Sequence, residues 1–322
     1  MRGSSRDPQT RIGPHSLRGM DIRTEVRDFL KSRRDKVTPD QAGLPVYGTR
    51  RVPGLRRNEV AALAGVSVEY YTRLERGNLQ GVSDSVLESV ARAVQLDDLE
   101  RAHLFDLARA ANASPARLGR GAKPAPPVVR PSVARIIERM PELPAFVQNN
   151  HFDILLANPL GRALYSELYD DPAAAANTAR FVFLSPAARR FYVDWENVAR
   201  GAVGTFRVRA GRNPYDRELS NLIGELSTRS DAFRVMWGAN DVHLFREGTK
   251  RFYHPVVGEL DLEHESLDVP DETGLAVTVY SAPPGSAAEE KLGFLASFAA
   301  TTEERHRSPK GTAAVTGDQD PA

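Results

Sequence analysis

The stretch GVSVEYYTRLERG, residues 65–77, leaves room for barely three turns of helix between its two glycines. The segment before it has a helical apolar pattern that places Val60 and Leu63 on one face. Gly65 can adopt the positive φ that ends a helix, and Ser67 can cap the helix that follows. The sequence therefore predicts two helices joined by a tight turn, the second of them too short to bury much surface by itself.

The second of these helices has two unlike faces. Tyr71 and Leu74 are three residues apart and share a face that can pack on the first helix. The other face is polar and is weighted toward the start of the helix. The major groove of DNA admits one helix whose first residues meet the base edges, so this pattern fits a helix-turn-helix reader of DNA. An ordinary helical hairpin inside an all-α bundle would show the same spacing.

Five helical segments are predicted in residues 20–111 from apolar stripes and capping residues. They are Asp21–Arg34, Leu55–Ala64, Val68–Arg76, Ser83–Val94 and a helix from Asp97 or Asp98 to Ala111. We expect residues 20–111 to form one compact all-α domain. Residues 1–19 have no apolar period, and we expect them to be a disordered extension.

Charge and composition limit the class of protein. Residues 1–60 hold 14 Lys and Arg against 7 Asp and Glu, whereas the remainder holds 29 against 35. A basic front suggests a polyanionic partner, although chance clustering would give the same count. The absence of cysteine excludes disulfides, thiolate metal sites and a cysteine nucleophile, and it fits a reducing cytosol. No apolar run is long enough for a membrane span and no signal-peptide pattern is present, so we expect a cytoplasmic protein with no membrane partner.

The second half of the chain has a different pattern. A segment rich in Ala, Pro and Gly, residues 112–131, is a predicted linker. In residues 132–300 strand-like runs lie at both ends with helices between them, which predicts an α+β domain around a mostly antiparallel sheet. The tail, residues 301–322, is polar and is predicted to be disordered.

Several elements of the second domain are expected at definite places. A tight hairpin is predicted around Asn149 and Asn150, and three strands are predicted late in the chain. The longest predicted helices are Pro186–Arg209 and Asp216–Arg229, and Ala287–Ala299 is a predicted closing helix.

The segment LRRNEVAALAGVSVEYYTRLERG resembles the helix-turn-helix of Xre-family regulators, which implies a lambda-repressor-like domain of five helices. The matching residues are Glu59, Val60, Ala61, Ala64, Gly65, Val66, Ser67, Arg73, Leu74, Glu75 and Gly77. Together with PAFVQNNHFDILLANPLGRALY and GTKRFYHPVVGELDLEHESL, the chain is similar to MmyB-like regulators, whose C-terminal domain has a PAS-like ligand-binding fold. This resemblance implies a homodimer that binds a double-stranded DNA operator.

The resemblance also implies roles for individual residues. Base contacts would be made by Ser67, Val68, Glu69 and Arg73. An arginine can donate to guanine, a glutamate can accept from cytosine N4, and a valine can touch a thymine methyl group. Phosphate contacts are expected from Arg50, Arg51, Arg56, Arg57 and Arg76. The first four of these arginines precede or begin the helix-turn-helix and could equally belong to a solvated loop. We expect Glu75 to form an internal salt bridge with an arginine.

Enzyme and metal motifs are scarce in the second domain. It lacks a Gly-x-Ser-x-Gly elbow, a Walker loop, a Gly-x-Gly-x-x-Gly loop and a His-Glu-x-x-His pair, so we expect no enzyme activity and no cofactor. A metal cluster could be imagined from His254, His264, Asp261, Glu263 and Glu265. In a strand the three acidic residues would point one way and His264 the other, so a solvated acidic face is the prediction and no metal is expected.

A ligand pocket is predicted from aromatic residues with a few polar anchors. The candidates are Phe152, Asn158, Tyr192, Trp195, Arg207, Trp237, Phe252, His254 and Tyr280. Any one of these residues could instead be ordinary core. The family resemblance implies a small amphipathic ligand, either fatty acyl or lactone-like. The resulting hypothesis is a ligand-responsive transcription regulator, and its alternatives are an enzyme targeted to DNA and a scaffold whose second domain only dimerises.

Overall fold

The structure is a computed structural model that describes residues 21–45, 50, 52, 54–112, 128–240, 247–270 and 274–307. The predicted extension (residues 1–19), most of the predicted linker and residues 308–322 lie outside this part of the chain. The chain divides into two compact units. The first takes residues 1–122 and 200–244, and the second takes residues 123–199 and 245–322.

The described residues form helices and strands that are numbered here in chain order. The helices are α1 (Ile22–Lys36), α2 (Arg57–Ala64), α3 (Val68–Glu75), α4 (Asp84–Ala93), α5 (Asp98–Asn112), α6 (Pro131–Glu138), α7 (Pro159–Leu164), α8 (Ser166–Tyr169), α9 (Thr178–Leu184), α10 (Ala188–Phe191), α11 (Trp195–Arg212), α12 (Arg217–Arg229), α13 (Asp231–Gly238) and α14 (Ala287–Arg307). The strands are β1 (Ala145–Gln148), β2 (Ile154–Ala157), β3 (Glu247–His254), β4 (Gly258–Asp268) and β5 (Ala276–Ser281).

Helices α1 to α5 confirm the five helices predicted for the front of the chain. Asp21 caps α1, its carboxylate accepting from the backbone N–H of Arg23 at 3.1 Å. Gly65 ends α2 with a φ of 67°, the left-handed conformation predicted for it. Ser67 caps α3, as its position after the turn predicted, because its hydroxyl accepts from the backbone N–H of Tyr70 at 3.0 Å.

The core of the first unit is built where these helices meet. Tyr71 and Leu74 are buried in one apolar cluster with Val60. Leu63, however, was predicted to face inward and is 40% exposed, whereas Ala61 is buried. The buried stripe of α2 is centred near residues 60, 61 and 64, and Leu63 lies roughly 100° from that centre at 3.6 residues per turn. The prediction for Leu63 was therefore wrong.

Residues 200–244 also belong to the first unit, although the sequence placed them inside one continuous domain, residues 132–300. The division falls within α11, whose first five residues are grouped with the second unit. Val208 of α11 is part of the same apolar cluster as α1 and α5. Gly211 passes so close to His103 that an added Cβ would lie 2.8 Å from the imidazole ring.

The second unit is built on a five-stranded sheet in the order β2-β1-β5-β4-β3, and each neighbouring pair is antiparallel. The α+β class predicted for this domain is confirmed. One face of the sheet is aromatic, since Phe146 of β1, Tyr280 of β5 and Phe252 of β3 are buried on it. The other face carries an aliphatic cluster that includes Val147 and Ile137 of α6.

Some elements differ from their predictions. The helix predicted over Pro186–Arg209 is broken at Tyr192, which bridges to Phe252, and the N–H of Val193 donates to the carbonyl of Arg251 at 3.0 Å. Backbone pairing with edge strand β3 thus interrupts a helix that the apolar period alone predicts to be continuous.

The other differences lie in one turn and three helices. The turn after β1 is longer than a two-residue hairpin, because the N–H of Asn149 pairs with the carbonyl of Asp153. Helix α14 continues past Ala299 to Arg307, and α9 and α13 were not predicted.

Candidate functional site

Helix α3 turns one face to the core and the other to solvent. Tyr71, Leu74 and Glu75 are buried, while Glu69 and Arg73 are exposed. Val68, an apolar residue, is 42% exposed at the start of the helix. A short helix that is anchored on one side and free on the other has the geometry of a helix that enters the major groove.

The free face of α3 forms one side of an open concavity. Its lining residues are Arg23, Val68, Glu69, Thr72, Arg73, Arg76 and Asn78. The structure thus brings together three of the four predicted base contacts and one predicted phosphate contact. Three arginines against one glutamate make this surface net positive, which favours a polyanion.

Arg23 and Asn78 were not predicted to belong to this surface. Arg23 reaches it because the start of α1 packs against the end of α3. At Gly77, whose φ is 88°, an added Cβ would lie 2.2 Å from the carbonyl oxygen of Arg23. This glycine allows the close approach, but the sequence does not show which segment approaches it.

Two contacts orient the base-reading candidates. The guanidinium of Arg73 lies over the ring of Tyr70, 4.7 Å from its centroid, which restricts where the arginine can point. Ser67 uses one lone pair of its hydroxyl to cap α3 and keeps its proton free to donate.

The buried carboxylate of Glu75 holds two arginines. It accepts from Arg34 Nε at 2.9 Å and from Arg57 Nη2 at 3.0 Å. Burial works to raise the pKa of Glu75, but the hydrogen bonds and charges of Arg34 and Arg57 outweigh it, so the pKa is lowered. The internal salt bridge predicted for Glu75 is confirmed, and it ties the end of α3 to α1 and to the start of α2.

The predicted phosphate contacts have different surroundings. Arg50 forms two hydrogen bonds with Glu59, each of 2.8 Å, and these bonds, more than any other cause, lower the pKa of Glu59 to about 2. Arg57 is half-exposed and bound to Glu75. Arg56 and Arg76 are exposed, and no ion pair engages them within the described residues. Arg51 lies outside those residues.

The nine ligand-pocket candidates are divided between the two units. Arg207 and Trp237 belong to the first unit, where the guanidinium of Arg207 lies 4.3 Å from the centroid of the Trp237 ring. Arg207 is also ion-paired with Glu25 and donates to the carbonyl of Trp237. The nine candidates therefore do not all belong to one compact unit.

Three of the remaining candidates have structural partners in the second unit. Asn158 caps α7, since its side-chain oxygen accepts from Gly161 at 2.7 Å and its amide donates to two backbone carbonyls. Phe152 is buried at a positive φ of 67° in the turn before β2. Trp195 donates to the carbonyl of Val182 at 2.9 Å.

The other four candidates lie on β3 and β5 or beside them. Tyr192, Phe252 and Tyr280 form a continuous aromatic cluster, with ring centroids 5.7 Å apart for the first pair and 5.5 Å apart for the second. His254 is buried, and its Nε2 lies 3.0 Å from the carbonyl oxygen of Ala163. The hydroxyls of Tyr165 and Tyr280 are 2.6 Å apart, and burial raises the pKa of both.

Lys250 was not predicted to belong to this cluster. Its Nζ donates to the hydroxyl of Tyr280 at 3.3 Å, and burial lowers the pKa of Lys250 to about 8. The signal was present in the sequence, because Lys250 alternates with Phe252 and His254 along β3 and so shares their face.

The acidic residues of β4 behave as the strand period predicted. Asp261, Glu263 and Glu265 are exposed, while His264 is buried and its Nδ1 lies 2.7 Å from the carbonyl oxygen of Gly248. Among the described residues no group of three His, Cys, Asp or Glu side chains could hold a metal ion. The same part of the chain contains no helix that is both long and apolar enough to cross a membrane.

Comparison with known families matches the two halves of the chain separately. Residues 129–295 match the MmyB-like transcription regulator ligand binding domain, and residues 25–104 match a helix-turn-helix domain. No curated protein matches the chain. The first match covers more than half of the sequence and the second includes α2 and α3. The chain therefore belongs to the MmyB-like transcription regulators, with a helix-turn-helix DNA-binding domain in front of a ligand-binding domain.

Proposed function

We propose that the protein is a dimeric regulator that reads an operator with α3 and changes its operator affinity when a small amphipathic ligand binds to its second unit. The observation that carries this proposal is the net-positive concavity on the free face of α3, which gathers Arg23, Glu69, Arg73 and Arg76 around a short, firmly anchored helix. Such a surface suits the phosphates at its rim and base edges at its centre.

Within this surface we assign different tasks to different residues. Arg73, held over Tyr70, donates to a guanine, and Glu69 accepts from a cytosine N4–H. Val68 packs on a thymine methyl group, and the Ser67 hydroxyl donates to a neighbouring acceptor. The exposed arginines contact phosphates instead, and they position the helix without reading sequence. These are Arg23, Arg56 and Arg76.

Coupling between ligand and operator needs a physical route. The ligand-binding match, residues 129–295, includes α11, α12 and α13, and residues 200–244 belong to the compact unit that contains α3. A conformational change in the segment that matches the ligand-binding domain can thus act on helices that share a core with the DNA-reading helix α3. A ligand shifts operator affinity only by its differential affinity for the two states of the protein, and a coupling of about 1–3 kcal/mol is typical.

The ligand is proposed to contact the aromatic face of the second unit, where Tyr192, Phe252 and Tyr280 are continuous. The aromatic rings favour an apolar body and the hydroxyls favour a polar end. A fatty acyl or a lactone-like compound has this character. A dimer is proposed because one helix reads few base pairs, whereas two copies read two half-sites about one turn, roughly 34 Å, apart.

The test begins with selection of an operator from random duplex DNA with the full-length protein. Footprinting should show two protected half-sites on one face of the duplex. Operator affinity is then measured with and without acyl and lactone compounds that shift the thermal midpoint of the protein. A single short footprint from one monomer would contradict the dimer. A ligand that binds tightly but leaves operator affinity unchanged would contradict the sensor and favour a scaffold whose second domain only dimerises. Turnover of that ligand would instead favour an enzyme targeted to DNA.

A further inference from the structure

Helix α14 turns a largely apolar face to solvent. Its inner residues Leu292 and Leu295 are buried where the helix packs on α7 and β4. On the outer side Phe294 is 59% exposed and Phe298 is 48% exposed, and residues four positions apart share a helix face. These are the two most exposed phenylalanines in the part of the chain that the structure describes. Two neighbouring aromatic rings in water favour burial against a partner surface.

The polar groups of this face are used within the helix itself. The hydroxyl of Ser297 donates to the carbonyl of Gly293 at 3.0 Å, and the hydroxyl of Thr301 donates to the carbonyl of Ser297 at 3.0 Å. Gly293 has no side chain, and a Cβ built on it would have no neighbouring atom within 4 Å. A glycine inside a helix costs about 0.5–1 kcal/mol relative to alanine, and no contact within the described residues requires this one. A second helix can therefore approach closely here without leaving a hydroxyl group unsatisfied.

The spacing along this face fits a second copy of α14. The exposed residues Glu290, Phe294, Ser297 and Thr301 follow one another at the spacing of the contact positions in a coiled coil. If two copies pair in opposite directions about a two-fold axis, Phe294 lies level with Ser297 of the second copy, and Glu290 lies level with its Thr301. Each large ring then meets a small side chain. Pairing in the same direction would instead place Glu290 against Glu290, and the two like charges would repel.

We propose that the outer face of α14, residues 290–301, packs antiparallel on the same face of a second copy and forms the dimer interface. Because both copies present the same surface, the contact closes after two copies and does not continue into a filament. This inference rests on the dimer of the proposed function and assigns its interface. The paired segment is about 18 Å long at 1.5 Å per residue, which is short beside the interfaces of obligate dimers. We therefore expect a reversible dimer that two operator half-sites stabilise further.

The first experiment places a charge inside the proposed interface. Phe294→Lys should raise the dissociation constant of the dimer at least tenfold, because it would bury an ammonium group without a counter-charge. Sedimentation velocity of the full-length protein over a range of concentrations, with and without duplex operator, measures this constant. Val235→Lys is the matched control, since Val235 is a 70% exposed apolar residue on helix α13 and its replacement should leave the dimer unchanged. Far-UV circular dichroism checks that both variants fold.

The second experiment tests the direction of pairing at an exposed position. Thr301→Lys would bring an ammonium group level with Glu290 of the second copy, and it should tighten the antiparallel dimer about threefold through two symmetric ion pairs. Thr301→Glu would bring two carboxylates together instead and should weaken the dimer by a similar factor. High salt should reduce both effects, because exposed charges are screened.

The outcomes separate the interface from the wider proposal. A dimer that is unchanged in Phe294→Lys and in both Thr301 variants would overturn the α14 interface and leave the dimeric regulator intact. A dimer that is weakened by Thr301→Lys as much as by Thr301→Glu would contradict the antiparallel arrangement. An original protein that stays monomeric even on duplex operator would overturn the dimer of the proposed function together with its interface.

Discussion

The guanidinium of Arg207 and the carboxylate of Glu25 form an ion pair from which water is almost completely excluded. Arg207 is 1% exposed, and it belongs to α11, while Glu25 belongs to α1. The same guanidinium donates to the carbonyl of Trp237 and stacks on its ring. Helix α1 is therefore held by α11 through Glu25 on one side and borders the concavity of α3 through Arg23 on the other.

We expect Arg207→Met to lower the free energy of unfolding by about 3–5 kcal/mol, because it leaves the carboxylate of Glu25 buried without a counter-charge. The double variant Glu25→Gln/Arg207→Met should recover part of this loss, since it removes both charges and their desolvation cost. Urea unfolding followed by far-UV circular dichroism measures both effects.

A nearby ion pair whose arginine is half-exposed supplies the control for this prediction. Arg212 is half-exposed, and its Nε lies 3.5 Å from Asp106 Oδ2. Arg212→Met should cost no more than about 1 kcal/mol, because the guanidinium of Arg212 is half-exposed and Asp106 keeps its ion pair with Arg109. If Arg207→Met cost no more than Arg212→Met, the ion pair with Glu25 would not hold α11 against α1.

Arg73→Ala should weaken binding to the selected operator by about 1–3 kcal/mol and relax specificity at one position, while binding to scrambled DNA changes little. The reason is that the guanidinium of Arg73 is oriented by Tyr70 on the free face of α3. Fluorescence anisotropy at one fixed salt concentration gives both affinities.

Arg76→Ala is the matched comparison, because Arg76 lies on the same concavity but at the end of the helix. We expect it to weaken binding to both DNAs alike. The slope of log affinity against log salt concentration should fall by about one unit, the amount expected for one lost phosphate contact. An equal loss on operator and scrambled DNA for Arg73→Ala would make Arg73 a phosphate contact and contradict its base-reading assignment.

Glu75→Gln should lower the free energy of unfolding by about 3 kcal/mol, because Arg34 loses its buried carboxylate partner and keeps only the half-exposed carboxylate of Asp35. Arg57→Gln should cost about 1 kcal/mol or less, since Arg57 is half-exposed and water can replace its partner. Thermal and urea unfolding of the two variants make the comparison. Equal losses would mean that Arg57, rather than Arg34, carries the stabilising contact with Glu75.

The recognition helix could be predicted from the sequence because its determinants are local. Gly65 and Ser67 fix where α2 ends and α3 begins, and the spacing of Tyr71 and Leu74 fixes the buried face. The sequence predicted that Glu75 pairs with an arginine, but it did not identify Arg34, which is 41 positions away. Helix and strand periods likewise predicted the three late strands and the exposed acidic face of β4.

The membership of residues 200–244 in the first unit could not be predicted, because it depends on contacts between distant positions. Glu25 and Arg207 are 182 positions apart, and no local pattern links them. Arg207 and Trp237 consequently looked like pocket residues, since the sequence shows only an arginine and a tryptophan of suitable character. The break at Tyr192 had the same origin, as it depends on backbone pairing with β3.

The remaining prediction concerns acid stability and depends on His103. This imidazole is 1% exposed, and neither ring nitrogen has a hydrogen-bond partner within the described residues. Burial, reinforced by the charges of Arg207 and Arg33, lowers its pKa from 6.5 to about 3. Above pH 6.5 His103 is neutral in the folded and the unfolded chain, so its titration has no effect on stability there.

Between pH 6.5 and about 3 the unfolded chain binds a proton at this position that the folded protein does not bind. The free energy of unfolding should therefore fall as the pH falls, by about 1.4 kcal/mol per pH unit from this group. Urea unfolding at pH 7, 6 and 5 measures the slope before most carboxylates titrate. His103→Phe keeps a ring of similar shape against Phe29 and removes the titrating group, so its slope should be shallower by about 1 kcal/mol per pH unit. If the two proteins lose stability in parallel over this range, His103 is not the group that makes the first unit sensitive to acid.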